Sequence, residues 1–152
     1  MNKYICTNIV RAEPMTRQEF NDLIDGEIPL DGFSDKGFYV DYDNGYYGIW
    51  MPDEVFQEYY RSIYRLTFGE AIEALKAGQK LARTGWNGKG MFVYYVPAAH
   101  YPAQTGVAKA YFGEDTKVHY NAYIAIKNTN ESVSTWIASI NDILAEDWAI
   151  VE

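Results

Sequence analysis

Cysteine is nearly absent from the 152-residue sequence, in which Cys6 is the only one. A single cysteine excludes an intramolecular disulfide and any zinc site built from several thiolates. Long apolar runs are absent too, since none approaches the roughly 20 residues that a membrane-spanning helix needs. No apolar segment follows Met1 as it would in a secretory signal. We therefore expect an intracellular protein with no membrane partner.

Positive charge is scarce, with 13 Lys and Arg against 21 Asp and Glu and a net charge of −8. A nucleic acid polymer needs a basic surface for its phosphates, so we expect no partner of that kind. The acidity is uneven: residues 1–62 carry 5 basic and 12 acidic side chains, whereas residues 63–152 carry 8 and 9. The second part is nearly neutral, and a local pocket in it could accept a small anionic ligand.

The motifs of several enzyme classes are missing. The only histidines, His100 and His119, do not stand in a metal-ligand spacing. There is no phosphate-binding Walker loop and no Gly-x-Ser-x-Gly nucleophile turn. We therefore expect no catalytic residue, no metal and no cofactor. An acid–base pair drawn from Asp142, Glu146 and Asp147 is the alternative, because such catalysis needs only two carboxyl groups.

The most informative segment is the glycine-rich stretch at 83–90, which reads RTGWNGKG. Its glycines let backbone N–H groups approach an anion, and Arg83 and Lys89 add positive charge. Trp86 offers a flat surface on which a base can stack. The alternative is a hairpin turn whose Trp86 folds back onto the core, since Asn-Gly alone favours a turn.

The pattern of apolar and turn residues predicts an α+β fold in two parts: a small N-terminal module at 1–62 and a domain at 63–152, in which one main helix precedes an antiparallel sheet. Capping boxes predict where two helices begin, Thr16 with Glu19 and Thr67 with Glu70. In order, we predict a strand at 4–10, a helix at 17–23, hairpin strands at 38–42 and 46–50 around Asp43-Asn44-Gly45, a helix from Asp53, a helix at 68–77, strands at 80–84 and 91–96, a loop at 97–106, strands at 118–127 and 133–138, a short bend at 139–146 and an edge strand at 148–151.

Three tryptophans in the second part suggest a nucleotide site. Stacking on an indole is worth roughly 1–3 kcal/mol per base, which suits Trp86 and Trp136. We expect Trp148 to pack in the core. Asp142 or Asp147 could accept hydrogen bonds from ribose hydroxyls, as acidic residues do in dinucleotide sites.

Three separated motifs of the second part resemble a known family. LTFGEA at 66–71, ARTGWNGKGMF at 82–92, and WIAS at 136–139 with DILAEDW at 142–148 are similar to segments of the small phage proteins of the second Thoeris anti-defence family. The motifs occur in the family's order with compatible spacing. The resemblance covers about residues 63–152 and leaves residues 1–62 as an added N-terminal module.

The resemblance implies a non-enzymatic sponge in the host bacterial cytoplasm. Family members sequester cyclic ADP-ribose isomers made by bacterial TIR enzymes, such as gcADPR, and some also take up CBASS cyclic dinucleotides such as cGAMP. They form homotetramers with pockets between protomers. The predicted ligand-binding residues are Arg83, Trp86, Asn87, Gly88, Lys89, Trp136, Ser139, Asp142 and Asp147. The alternatives are a nucleotide-processing enzyme that uses Asp142 or Glu146, and a phage protein that binds another protein.

Overall fold

The computed structural model describes residues 8–29, 32, 34–42 and 48–152. The chain divides into two compact units, Met1–Arg61 and Ser62–Glu152. Both combine antiparallel strands with helices, so the predicted α+β fold class is confirmed. No helix among the described residues is long and apolar enough to cross a membrane.

The first unit contains an antiparallel sheet with the order β1-β2-β3. Its elements are β1 (Arg11–Thr16), α1 (Arg17–Ile24), β2 (Lys36–Asp41), β3 (Ile49–Pro52) and α2 (Asp53–Tyr59). The predicted capping box begins α1, because Thr16 Oγ1 accepts a hydrogen bond from Glu19 N and the Glu19 carboxylate accepts one from Thr16 N. Phe20 and Val40 are buried, and the Phe38 and Phe56 rings stack at 4.0 Å.

For this unit, one predicted strand is wrong and one predicted hairpin is confirmed in its arms. The strand predicted at 4–10 is wrong for residues 8–10, which are not in a strand. Residues 4–7 lie outside the described residues. The strand lies later and includes Pro14, which we expected to end it; β1 is at the edge of the sheet, where a missing N–H is tolerated. The predicted hairpin arms do pair as β2 and β3, while the turn at Asp43-Asn44-Gly45 lies outside the described residues.

The second unit is built on a five-stranded antiparallel sheet with the order β10-β4-β5-β8-β9. A separate ribbon pairs β6 with β7. The elements are α3 (Phe68–Lys76), β4 (Lys80–Arg83), β5 (Phe92–Val96), β6 (Ala99–Pro102), α4 (Gly106–Phe112), β7 (Lys117–Tyr120), β8 (Tyr123–Lys127), β9 (Val133–Trp136), α5 (Ile140–Ile143) and β10 (Trp148–Val151). As predicted, β10 is an edge strand.

Helix α3 begins where the sequence predicts. Thr67 and Glu70 form the capping box, with Thr67 N donating to the Glu70 carboxylate over 2.7 Å. Ala71 and Leu75 are buried on one face of this helix. They pack with Leu66, Ala74, Leu81, Val93, Ile126 and Trp148 to form the core. Trp148 is fully buried, which confirms the prediction that it packs inside.

Two predictions for the second unit are wrong. The single strand expected at 118–127 is two strands in different sheets, because the chain leaves the ribbon at Asn121 and enters the main sheet at Tyr123. The loop expected at 97–106 contains β6, which pairs with β7 across a connection that includes α4. Pro97 precedes β6 and Pro102 ends it, and these two prolines hid a strand whose partner lies 15 or more residues further along the chain.

Candidate functional site

Arg83, at the end of β4, joins two carboxylates that follow much later in the chain. Its Nε donates a 2.7 Å hydrogen bond to Asp147 Oδ1, and its Nη1 donates a 3.0 Å hydrogen bond to Asp142 Oδ1. The Arg83 side chain is only 20 % exposed. Ion pairs shielded from water in this way are stronger than surface pairs. The guanidinium therefore fixes the end of β4 against the segment that carries α5.

Asp142 is the N3 residue of helix α5 and the most connected side chain in this region. Its Oδ2 accepts hydrogen bonds from Ser139 N at 3.0 Å and Ser139 Oγ at 2.6 Å, which closes a capping box. Its Oδ1 accepts from Arg83 and from Trp86 Nε1, the latter at 3.3 Å. Its backbone carbonyl accepts from Trp148 Nε1 at 2.9 Å. Both carboxylate oxygens are thus already used by the protein itself.

The three tryptophans of this unit contact one another. Trp86, Trp136 and Trp148 meet edge to face, with ring centres 5.5–6.1 Å apart. Such edge-to-face packing is favourable because the ring edge is positive and the ring face negative. Trp148 is sealed inside, whereas Trp86 and Trp136 are half-buried. Each of these two indoles packs on the core and keeps part of its surface open.

The glycine-rich turn is held at its base by Asp147. The Oδ2 of this carboxylate accepts a 2.9 Å hydrogen bond from Gly85 N and a 3.3 Å hydrogen bond from Thr84 Oγ1. A Cβ on Gly88 would overlap the Met91 side chain, which would have to move to make room for it. Gly90 has a φ of 72°, which glycine adopts without strain. Asp147, Met91 and this pair of glycines together set the shape of the turn.

The far end of the turn is exposed and makes few contacts with the protein. The backbone N–H groups of residues 87–90 donate no hydrogen bond to any residue that the structure describes. Asn87 and Lys89 are exposed, and their side chains likewise have no polar partner in the described ranges. Four successive N–H groups and an ammonium group are therefore free to bind water or an anion.

The network changes the acidity of its members. Burial alone would raise the pKa of Asp142, but hydrogen bonds from Ser139, Arg83 and Trp86 outweigh it and hold this pKa below its ordinary value. The hydrogen bond from Arg83 lowers the pKa of Asp147 in the same way. The Asp147 and Asp142 carboxylates raise the pKa of Arg83 in return. All three groups are stabilised in their charged forms.

The structure separates the predicted site residues into two neighbouring groups. Six of them form the packed network just described: Arg83, Trp86, Trp136, Ser139, Asp142 and Asp147. Asn87 and Lys89 lie on the exposed turn beside them, together with Gly88. Sequence reasoning missed Thr84, Met91 and Thr129, which contact the turn, and no motif marks them.

Two cavities of the described chain lie away from this region. One of about 340 Å³ belongs to the first unit and is lined by Met15, Lys36 and Phe38 among others. A second of about 190 Å³ lies beside α3, between Leu75 and Tyr123. Neither is lined by a predicted site residue. No group of three or more His, Cys, Asp or Glu side chains in the described ranges could hold a metal ion.

Comparison with known families covers this whole region. The profile of the Thoeris anti-defense 2-like domain family, Tad2-like, matches residues 66–151. The chain belongs to this family. A curated relative, Thoeris anti-defense 2 of Bacillus phage SP01, is 38% identical over 88 residues. That alignment covers 57% of this chain and 96% of the relative.

Family membership identifies the chain as a phage anti-defence protein of the Thoeris-inhibitor type. The matched range includes every predicted site residue, from Arg83 to Asp147. It begins at Leu66, close to the start of the second unit at Ser62. Residues before Leu66 lie outside the family match, and their role as an added module remains a prediction.

Proposed function

We propose that this chain binds cyclic nucleotide immune signals, in the first place glycocyclic ADP-ribose isomers, and sequesters them without cleavage. Its membership of an anti-defence family supports a role against a bacterial defence system. Sequestration requires a site that holds phosphates, stacks a base and lacks a reactive group. The second unit offers features of each kind.

The observation that carries the proposal is the exposed end of the glycine-rich turn. Residues 87–90 present four successive N–H groups without a partner among the described residues, and Lys89 adds a positive charge. Successive N–H groups and an ammonium group suit the phosphates of a cyclic ADP-ribose. The half-buried Trp86 directly precedes them and can stack a base. Phosphate and base could thus be bound within five residues.

The state of Asp142 favours binding over turnover. A general base needs a free lone pair and a pKa near the working pH. Asp142 has neither, because its oxygens accept four hydrogen bonds and its pKa is lowered. Glu146 is exposed and has no polar partner in the described ranges, so nothing there activates it.

The surface around Ser139 supports a pocket shared between copies of the chain. Ile137 is 87 % exposed, Leu144 is 74 % exposed and Ile140 is 65 % exposed. Three exposed aliphatic side chains within one short segment of the chain favour a protein contact. We propose that a second protomer covers them in a homotetramer and supplies the other wall of the ligand pocket.

Calorimetry with purified protein tests the proposal directly. We expect gcADPR isomers to bind with a Kd near nanomolar, about −12 kcal/mol, because a sponge must outcompete the signal's receptor. The same titration is repeated with cyclic dinucleotides such as cGAMP. Chromatography of ligand released by heating should show unaltered compound. Recovery of cleaved ligand would instead support a nucleotide-processing enzyme. If no cyclic nucleotide bound and another protein co-purified with the chain, a protein-binding role would be supported.

A further inference from the structure

The ribbon of β6 and β7 brings the two histidines of the chain face to face. His100 and His119 are directly opposite each other in the antiparallel register. Their ring centres are 4.8 Å apart, and the ring planes are inclined by 58°. Opposed residues in a ribbon point to the same side, so both imidazoles lie on one face. The preceding residue of β6 and the following residue of β7, Ala99 and Tyr120, form the next pair on the other face.

Both imidazoles are available to an external ligand. His100 and His119 are exposed, and neither makes a hydrogen bond or ion pair with any residue in the described ranges. Each ring instead faces the other ring. An imidazole without a protein partner keeps a nitrogen lone pair free, which is the donor that transition metals prefer.

The spacing of the rings is right for chelation of one metal ion. With a metal–nitrogen distance of about 2.1 Å, the centre of an imidazole ring lies about 3.2 Å from the metal. Two rings at neighbouring octahedral or tetrahedral positions then have centres about 4.5–5.3 Å apart. The observed 4.8 Å falls inside this interval. Chelation further requires that the side-chain torsions direct one nitrogen of each ring at a common point.

We propose that His100 and His119 form a two-histidine site for a divalent transition-metal ion such as Zn²⁺ or Ni²⁺. The remaining coordination positions are open to water. Hard cations such as Mg²⁺ and Ca²⁺ do not suit the site, because they require several oxygen ligands and the two histidines supply nitrogen donors. A bound ion would join β6 to β7 and stabilise the ribbon. This site is independent of the nucleotide-binding proposal and lies on different elements.

Titration of the full-length, untagged protein in metal-free buffer tests this site. We expect one Zn²⁺ or Ni²⁺ per chain, tighter binding of Cu²⁺ in line with its general preference for nitrogen donors, and no heat with Mg²⁺. His100→Ala and His119→Ala should each weaken Zn²⁺ binding at least tenfold. In long-range ¹H–¹⁵N spectra, Zn²⁺ should shift the ring signals of both histidines together.

A double variant provides the matched control. His119→Asn combined with Val118→His keeps two histidines in the ribbon but moves one to the opposite face, so binding should fall as far as in the single variants. Zn²⁺ binding that survives in His100→Ala and His119→Ala would overturn the proposal. So would one ion per two chains, which would mean a bridge between molecules, or no ring shift at millimolar Zn²⁺. Circular dichroism of each variant shows whether the fold is retained.

Discussion

Nε1 of Trp86 donates a 3.3 Å hydrogen bond to Oδ1 of Asp142, 56 residues further along the chain. The bond links the glycine-rich turn to the cap of helix α5. Arg83 donates to the same oxygen, so the indole and the guanidinium share one acceptor. The position of Trp86 is therefore set by the network that also holds β4 in place. We therefore expect a change at Trp86 to affect both the shape of the turn and the stability of the domain.

Substitution of Trp86 should separate packing from hydrogen bonding. Trp86→Phe keeps an aromatic ring but removes the N–H, and we expect the free energy of unfolding to fall by about 1–2 kcal/mol. Trp86→Ala also removes the contacts with Trp136 and Trp148, and we expect a loss of about 3 kcal/mol. Urea unfolding measures both. If Trp86→Ala were as stable as the wild type, the indole would not support the core.

Acid should weaken the domain through Asp142 and Asp147. Both carboxyl groups have a pKa below the ordinary value near 3.9. A carboxyl group whose pKa is lowered on folding contributes stability above its unfolded pKa and loses that contribution as pH falls through the folded pKa. We expect the free energy of unfolding to be steady near neutrality and to fall below about pH 4. Urea unfolding measured at intervals from pH 7 to pH 3 gives this profile.

Asp142→Asn tests whether the acid sensitivity of the domain comes from Asp142. The amide cannot ionise, so the variant should be less stable at pH 7 by about 3 kcal/mol, because Arg83 loses a charged partner. The same variant should lose less stability than the wild type on acidification. Parallel profiles for the two proteins would mean that the acid sensitivity comes from other carboxylates, such as Glu19 in the first unit, whose pKa the Thr16 cap also lowers.

Local signals in the sequence predicted α1, α2, α3 and much of the main sheet, whereas helix α4 at Gly106–Phe112 was not predicted. The Thr67–Glu70 capping box placed α3 because its two partners are three residues apart and their chemistry is visible in the sequence. The split between β7 and β8 was not predictable in this way. The apolar alternation continues through Asn121 and Ala122, so periodicity alone predicts one strand. In the structure, these two residues separate strands of different sheets.

The candidate site was predicted by residue type but not by role. Sequence reasoning chose Arg83 for its charge and Asp142 and Asp147 as ribose acceptors. Their mutual pairing spans 59 and 64 residues, a separation that no local pattern reveals. Ligand contacts by these carboxylates remain a prediction. The sequence also predicted that backbone N–H groups of the glycine-rich stretch could bind an anion, because glycine in a turn lets the backbone approach closely. The exposed N–H groups of residues 87–90 are of that type.

Lys89 offers a test of ligand binding that should leave the fold alone. Its side chain is exposed and has no polar partner in the described ranges. We expect Lys89→Ala to weaken binding of gcADPR about tenfold, which corresponds to about 1.4 kcal/mol, and to reduce the dependence of binding on salt. Calorimetry at two salt concentrations measures both effects. Lys109→Ala, which removes an exposed charge on α4, is the control and should bind normally.

Gly88 tests whether the shape of the turn matters apart from its charges. A Cβ at this position would overlap the Met91 side chain and come within 2.9 Å of Thr129 Cγ2. Gly88→Ala should therefore displace the turn and lower the free energy of unfolding by about 1–3 kcal/mol.

Gly106→Ala is the control, because nothing lies within 4 Å of the added carbon. That position begins α4, where alanine is favoured over glycine by up to about 1 kcal/mol, so the control should be as stable as the wild type or slightly more so. If Gly88→Ala proved as stable as Gly106→Ala and bound gcADPR equally well, the close packing of the turn on Met91 would not hold in solution.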